Sequence, residues 1–281
     1  MTDIVIGTAN NLKYDYIEMW CNSLDQSGFD GIKILVATNM DYEILNRLVE
    51  RGYHVFDNLN NLTKHGSVYV NRFYHYWYIL NERFGSIKPR YVIATDVTDV
   101  IFQSNPSKWL EENLSEKKLL ASSEAVQYMH EPWNKNNMIK SFGEDVYNRY
   151  KESIVLNAGV IAGEFNYMVD LFLNIYLMCG GAPSIVDGGG GPDQAAYNIL
   201  LNSSVYQDKL KVASSDHTWA AQLGVIAPQK RILLNNIVSE PAPTFIDDVV
   251  CTCDGKPYTI VHQYNRIPEW NSIINKFMKG K

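Results

Sequence analysis

The order of strand-like and helix-like patterns over residues 4–56 constrains this chain more than any other feature. Ile4 to Thr8 reads as a strand, with a polar turn at Ala9-Asn10-Asn11 behind it. Tyr16, Ile17, Met19, Trp20 and Leu24 then mark one face of a helix, which Ser27-Gly28-Phe29-Asp30-Gly31 breaks. Ile32 to Ala37 is a second strand. Asp41 to Gly52 is a helix with Ile44, Leu45, Leu48 and Val49 inward, stopped by Gly52, and Tyr53 to Phe56 is a third strand. A β-α-β-α-β order implies a parallel sheet with right-handed crossovers. The expected fold class is α/β, Rossmann-like, with a mostly parallel central sheet flanked by helices. Neither an internal repeat nor a separating linker interrupts the chain, so a single domain over residues 1–281 is expected.

A second stretch carries the chemistry. Tyr91 to Ala94 is a short apolar run that reads as a buried strand, and Asp96 and Asp99 follow its carboxyl end. Ligands of open α/β sheets bind beyond the carboxyl ends of strands. Two carboxylates three residues apart there can share one divalent cation, because hard cations take several oxygen ligands. Upstream, Val68 to Phe84 reads as a helix dense in aromatics, and Arg72 sits early in it. Charged groups are seldom buried without a partner, so Arg72 is expected to face a carboxylate or a phosphate.

The rest of the chain continues the alternation. Ser107 to Asn113 is a short helix after an Asn105-Pro106 turn, and Leu119 to Ser122 is a strand. Residues 124–150, polar and aromatic, read as an irregular excursion over a cleft followed by a helix. Ile154 to Ile161 is a strand in which Asn157, Ala158 and Gly159 are small where a backbone must come close to something. Glu164 to Met178 is a helix. Gly188 to Gly191 and Pro192 lead into Asp193-Gln194 at the start of a helix over Ala195 to Leu201. Lys211 to Ala213, Ile232 to Leu234 and Ile260 to His262 are late strands, and Trp270 to Met278 closes the chain.

Composition excludes several function classes. A net charge of −6 lacks the basic footprint that non-specific nucleic-acid binding needs, and an acidic protein that handles phosphates needs a cation to bridge them. Cys251-Thr252-Cys253 has the wrong spacing for a zinc knuckle, and the isolated thiols Cys21 and Cys179 fit a reducing compartment. The start of the chain has no secretory pattern, and no apolar window is long enough to span a bilayer, so a cytoplasmic protein without a transmembrane segment is expected. The glycine run lacks the Lys-Ser/Thr ending of a P-loop and suits a hinge. No Gly-x-Ser-x-Gly elbow is present for Ser-His-Asp hydrolysis. Asp193 at a helix start also fits simple dipole compensation. His262 at a strand end gains meaning from its company: with Asp96 and Asp99 it can hold Mn2+ or Mg2+, and Arg266 four residues on can meet a diphosphate with its planar fork.

Taken in order, Ile6-Gly7-Thr8-Ala9-Asn10, Thr95-Asp96-Val97-Thr98-Asp99, Leu156-Asn157-Ala158-Gly159-Val160, Pro192-Asp193-Gln194 with Tyr197-Asn198, and Val261-His262-Gln263-Tyr264 resemble the metal-dependent nucleotide-sugar glycosyltransferases of the GT-A fold. The motif order is most similar to the retaining group that includes glycogenin and galactinol synthase, and it covers residues 4 to about 266. The resemblance implies a donor-nucleotide half over about 1–105 and an acceptor-side half over about 106–281. It implies that Thr8, Ala9 and Asn10 receive uracil and ribose, that Arg72, Asp96, Val97 and Arg266 lie at the donor, and that Asp96, Asp99 and His262 bind the metal. Asn157, Asp193 and Gln194 would line the sugar and acceptor side as the catalytic set. One departure stands out: the usual signature is Asp-x-Asp, whereas here the second carboxylate is Asp99, three residues on.

The implied reaction moves a hexose or pentose from a UDP-sugar to a hydroxyl of a glycan or glycoconjugate. An inverting enzyme would use Asp193 as base. A retaining one, which the resemblance favours, would use Asp193 or Gln194 to stabilise the cationic sugar. A sugar-phosphate nucleotidyltransferase would want a Gly-rich, basic loop after the first strand, which Thr8-Ala9-Asn10-Asn11 does not offer. A glycan- or nucleotide-binding pseudo-enzyme is the non-catalytic alternative.

Overall fold

A computed structural model of the protein describes residues 2–57, 59–186, 189–228 and 237–279. The expected alternation is present: β1 (Ile4–Asn10), α1 (Tyr14–Gln26), β2 (Ile32–Thr38), α2 (Tyr42–Glu50) and β3 (His54–Phe56). Then come α3 (Val68–Ile79), β4 (Tyr91–Thr95), β5 (Val100–Phe102), α4 (Pro106–Asn113) and β6 (Leu119–Gln127). The chain goes on through α5 (Pro132–Phe142), α6 (Glu144–Tyr150), β7 (Ile154–Glu164), α7 (Phe165–Met178), α8 (Asp193–Leu201) and α9 (Ser204–Gln207). It ends in β8 (Leu210–Ala213), β9 (Ala220–Gln222), β10 (Thr244–Ile246), β11 (Val249–Cys251), β12 (Ile260–His262) and α10 (Pro268–Lys279).

Seven strands form one sheet in the order β3-β2-β1-β4-β7-β6-β8. It is mostly parallel; β7 alone runs against its neighbours, antiparallel to both β4 and β6. That reversal brings the first residues of β7 to the carboxyl ends of the parallel strands, with Val160 opposite Thr95. Strands of the two notional halves, β1–β4 and β6–β8, share this sheet.

Successive strand residues face opposite sides, so the sheet carries a core on each face. Ile4, Ile6, Ile34 and Val36 pack with Val70, Phe73 and Tyr76 of α3 and with Met168, Phe172 and Ile175 of α7. Val5, Leu35 and Ile93 pack on the other face with Ile17, Trp20 and Leu24 of α1 and with Trp109 and Leu110 of α4. Each large apolar side chain buried this way contributes about 1.5–3 kcal/mol. A three-stranded sheet, β5-β12-β9, lies beside the main one; β12 is its middle strand, antiparallel to β5 and parallel to β9.

Several expectations need correction. Ala9 and Asn10 are not a turn: β1 pairs with β2 as far as Asn10 opposite Thr38, and the chain turns at Asn11, whose φ is +52°. The helix from Val68 ends its α-helical part at Ile79 and widens into a π turn over Leu80–Phe84. Residues 124–150 are not irregular, because β6 runs on to Gln127 and two helices, α5 and α6, follow. The expected strand at Ile232–Leu234 and Gly188 of the glycine run lie outside the described residues. Among the described residues no helix is long and apolar enough to cross a membrane.

Candidate active site

The corner formed by Asp96, Asp99 and His262 is assembled from strand ends. Asp96 follows β4 directly, and its backbone N–H donates to Gly159 O at 2.8 Å. Asp99 precedes β5, and the pairing of β5 with β12 sets His262 opposite Val100. Beyond β12, Gln263 adopts φ +61° and donates its N–H to Asp99 O at 2.7 Å, which ties the histidine loop to the carboxylate loop. His262 Nε2 lies 3.6 Å from Asp96 Oδ2 and 3.6 Å from Asp99 Oδ1. One ligand atom from each of the three residues lies within 4.8 Å of the others. The three-residue step from Asp96 to Asp99 therefore still aims both carboxylates at one imidazole nitrogen.

Three features suit this corner to a hard divalent cation. His262 Nδ1 is 2.7 Å from Gln222 Oε1, and a carbonyl oxygen there places the ring proton on Nδ1. The lone pair is then on Nε2, which is buried and has no hydrogen-bond partner among the described residues. A Cβ at position 159 would lie 2.4 Å from His262 Cε1, 2.8 Å from Nε2 and 2.9 Å from Asp96 Oδ2, so only glycine leaves this space open. One imidazole nitrogen with two carboxylate oxygens is a donor set for Mn2+ or Mg2+.

Burial acts against the Asp96 carboxylate, but the Arg72 guanidinium and His262 outweigh it and hold Asp96 well below the usual carboxylate range. Asp99 goes the other way: burial, helped by Asp96, raises it against the pull of His262. Burial disfavours the His262 imidazolium, yet Asp99 and Asp96 more than offset that and raise its pKa.

The facing wall begins at Arg72 in α3. Its guanidinium bonds to Asp96 through Nη1, to Asp193 Oδ2 through Nη2 at 2.9 Å, and to Ala158 O at 3.4 Å. Arg72 thus has the carboxylate partner expected of it, and a second one. Asp193 occupies the first turn of α8, where negative charge suits the helix dipole, but its side chain turns to Arg72. Burial raises the Asp193 pKa, with Arg72 opposing. Gln194 accepts from Ala158 N at 3.2 Å and donates to Asn134 Oδ1 at 2.6 Å. Asn157 accepts from Gly159 N at 2.7 Å and donates to Glu124 Oε1 at 2.7 Å.

Glu124, in β6, is the hub that sequence reasoning missed. It is buried, and it accepts from Asn157, Gln194 and Asn134 at 2.7, 3.3 and 3.2 Å. Its only signal in the sequence is a lone acidic residue inside the Leu119–Gln127 run of apolar and small residues. Gln222 was also missed, and nothing in Ala220-Ala221-Gln222 marks it.

These groups line one cleft of about 660 Å³, bounded also by Trp133, the Gly189–Gly191 strap and the exposed Arg266 at its mouth. Asp96, Asp99, His262, Arg72, Asn157, Asp193, Gln194 and Arg266 are thereby brought together. Thr8, Ala9, Asn10 and Val97 are not in its lining. Thr8 Oγ1 donates to Tyr76 Oη at 2.9 Å, Ala9 and Val97 are buried in the core, and Asn10 ends β1 beside the carboxyl edge of β4. No protein-family model matches the chain, and no curated protein matches it in sequence.

Proposed function

We propose that the chain is a metal-dependent glycosyltransferase of the GT-A type, moving a sugar from a UDP-sugar to a hydroxyl of a glycan or glycoconjugate with retention of configuration. The observation that carries this reading is the convergence of Asp96, Asp99 and the His262 Nε2 lone pair beside the Arg72–Asp193 pair in one cleft. Mn2+ or Mg2+ held by Asp96, Asp99 and His262 would neutralise charge developing on the diphosphate leaving group, worth several kcal/mol.

The chain's own groups have distinct tasks. Arg266 at the cleft mouth meets a phosphate with its guanidinium fork. Arg72 fixes Asp96 on one side and Asp193 on the other, so the donor corner and the sugar wall move as a unit. Glu124, Asn134, Asn157 and Gln194 form a hydrogen-bonded cradle that orients sugar hydroxyls. The Asp193 carboxylate and the Gln194 carbonyl oxygen stabilise positive charge on the sugar as its bond to the phosphate oxygen breaks. The acceptor oxygen forms the new bond, and its proton passes to the departing diphosphate. Asn10, part-exposed at the carboxyl end of β1, takes the nucleoside, whereas Ala9 and Val97 are buried in the core and out of its reach.

A screen of UDP- and GDP-sugars for hydrolysis and transfer, with UDP titrations in Mn2+ and in EDTA, tests this reading. Metal-dependent UDP binding and turnover of a UDP-sugar are expected. UDP affinity that is unchanged in EDTA removes the metal assignment. Metal-dependent binding without turnover of any donor leaves a nucleotide-binding protein in place of an enzyme.

A further inference from the structure

Beyond the three ligands, one buried side chain has a geometry that packing alone does not require. Gln222 ends β9, and the parallel register of β9 with β12 sets it opposite His262. It is buried, and its Oε1 is 2.7 Å from His262 Nδ1. We propose that Gln222 is a positioning residue: by fixing the proton on His262 Nδ1 and the plane of the ring, it sets the affinity of the corner for a divalent cation. This inference rests on the metal reading given above.

The orientation of the Gln222 amide decides the outcome. With Oε1 toward the ring, Nδ1 carries the proton and Nε2 offers its lone pair between Asp96 and Asp99. With the amide reversed, an N–H would face Nδ1. The ring proton would then move to Nε2, into the space between the carboxylates, and the nitrogen could no longer act as a ligand. What holds the amide the right way round lies behind it. Gln222 Nε2 has no hydrogen-bond partner among the described residues, and Gln222 lines a small cavity of about 20 Å³ together with Ser123, Glu124 and Ser215. Ser215 Oγ is likewise without a partner among the described residues. A space of this size holds one water, and a polar wall supplies its partners. A water bound there would accept from Gln222 Nε2 and so leave Oε1 for the histidine.

Partners of this kind orient ligating histidines and raise their basicity, and losing one lowers metal affinity by about 10–100-fold. A neutral amide does this without adding a third negative charge to a corner that already holds two carboxylates.

The test uses the full chain. Mn2+ is titrated into wild type and into Gln222→Met, which keeps length and volume but removes the acceptor, and free Mn2+ is read by electron paramagnetic resonance. The expected result is Mn2+ affinity lower by about 10–100-fold in the variant, at an unchanged thermal midpoint of the metal-free protein. Nitrogen-15 chemical shifts of His262 in the Mg2+-loaded wild type supply a second readout that needs no variant, and an Nδ1–H tautomer is expected. Unchanged Mn2+ affinity in a folded variant, or an Nε2–H ring in the wild type, overturns this inference alone. Wild-type protein that takes up no Mn2+ overturns the metal reading and this inference with it.

Discussion

The two walls of the cleft are built by different means. At the Asp96–Asp99–His262 corner the backbone holds the side chains in place: Asp96 N to Gly159 O, Gln263 N to Asp99 O, and Leu223 N to His262 O at 3.1 Å. On the opposite wall side chains hold one another, through Arg72 with Asp193 and through Glu124 with Asn134, Asn157 and Gln194. A ladder-anchored ligand depends on strand register and on free space around it. A side-chain network depends on every member being satisfied, since a buried polar group that loses its partner costs about 1–3 kcal/mol, and more when charged. The corner should therefore fail by obstruction and the opposite wall by loss of a partner.

The largest effect expected is obstruction. Gly159→Ala places a methyl group 2.4 Å from His262 Cε1 and should lower Mn2+ affinity by more than about 100-fold, beyond what an outer-shell change produces. A circular dichroism spectrum like that of wild type would show that the sheet still forms. Unaltered Mn2+ uptake would break the distinction at its strongest point.

Removing a partner on the other wall comes next. Arg72→Ala leaves the buried Asp193 and the half-exposed Asp96 without their shared cation, and should destabilise the fold by roughly 3–5 kcal/mol in urea unfolding. A loss below about 1 kcal/mol would mean that the pair behaves like a surface ion pair. Asp193→Asn should keep metal-dependent UDP affinity while lowering transfer by at least about 10²-fold, the scale of losing one group that stabilises transition-state charge. Wild-type turnover in that variant would return Asp193 to a helix-dipole role.

The smallest effect is a control outside both walls. Burial disfavours the Asp25 carboxylate, but hydrogen bonds from Lys33 and Arg51 outweigh it and lower its pKa. A depressed folded value contributes stability above the unfolded value near 3.8, and that contribution is lost as pH falls through the folded value. Asp25→Asn should therefore cost at most about 1 kcal/mol at neutral pH, with the difference from wild type fading in acid. Thermal midpoints across pH measure it, and both walls should keep their Mn2+ and UDP affinities.

The same contrast explains what the sequence made legible. The parallel strands announce themselves as apolar runs because both faces of the sheet are covered, and Asp96, Asp99 and His262 stand at the ends of such runs. Arg72 was legible as a charge within an aromatic helix. Its second partner, Asp193, was not, because the pairing is made only when α3 and α8 meet. The α5 and α6 segment was unreadable for a related reason. Polar residues such as Asn134 and Asn137 face inward there to serve the Glu124 cradle and the Gly191 carbonyl, which spoils the amphipathic pattern. Glu124 and Gln222 gave little or no signal, since a buried polar residue in a strand acquires its partners from elsewhere in the fold. The extension of β1 to Asn10 escaped notice because pairing with β2 overrides the turn preference of asparagine.

The middle position of β12 in its three-stranded sheet has a consequence for the protein while it is being made. Asp96 and Asp99 leave the ribosome long before Ile260–His262, the strand that carries the third ligand. At typical rates of synthesis, about 5–20 residues per second, the interval is on the order of ten to thirty seconds. During that time β1 to β4 and their helices can already pair. The two carboxylates then have Arg72 beside them but no imidazole. The corner proposed for a cation is therefore incomplete in the growing chain until β12 slots between β5 and β9 and brings His262 to the two carboxylates.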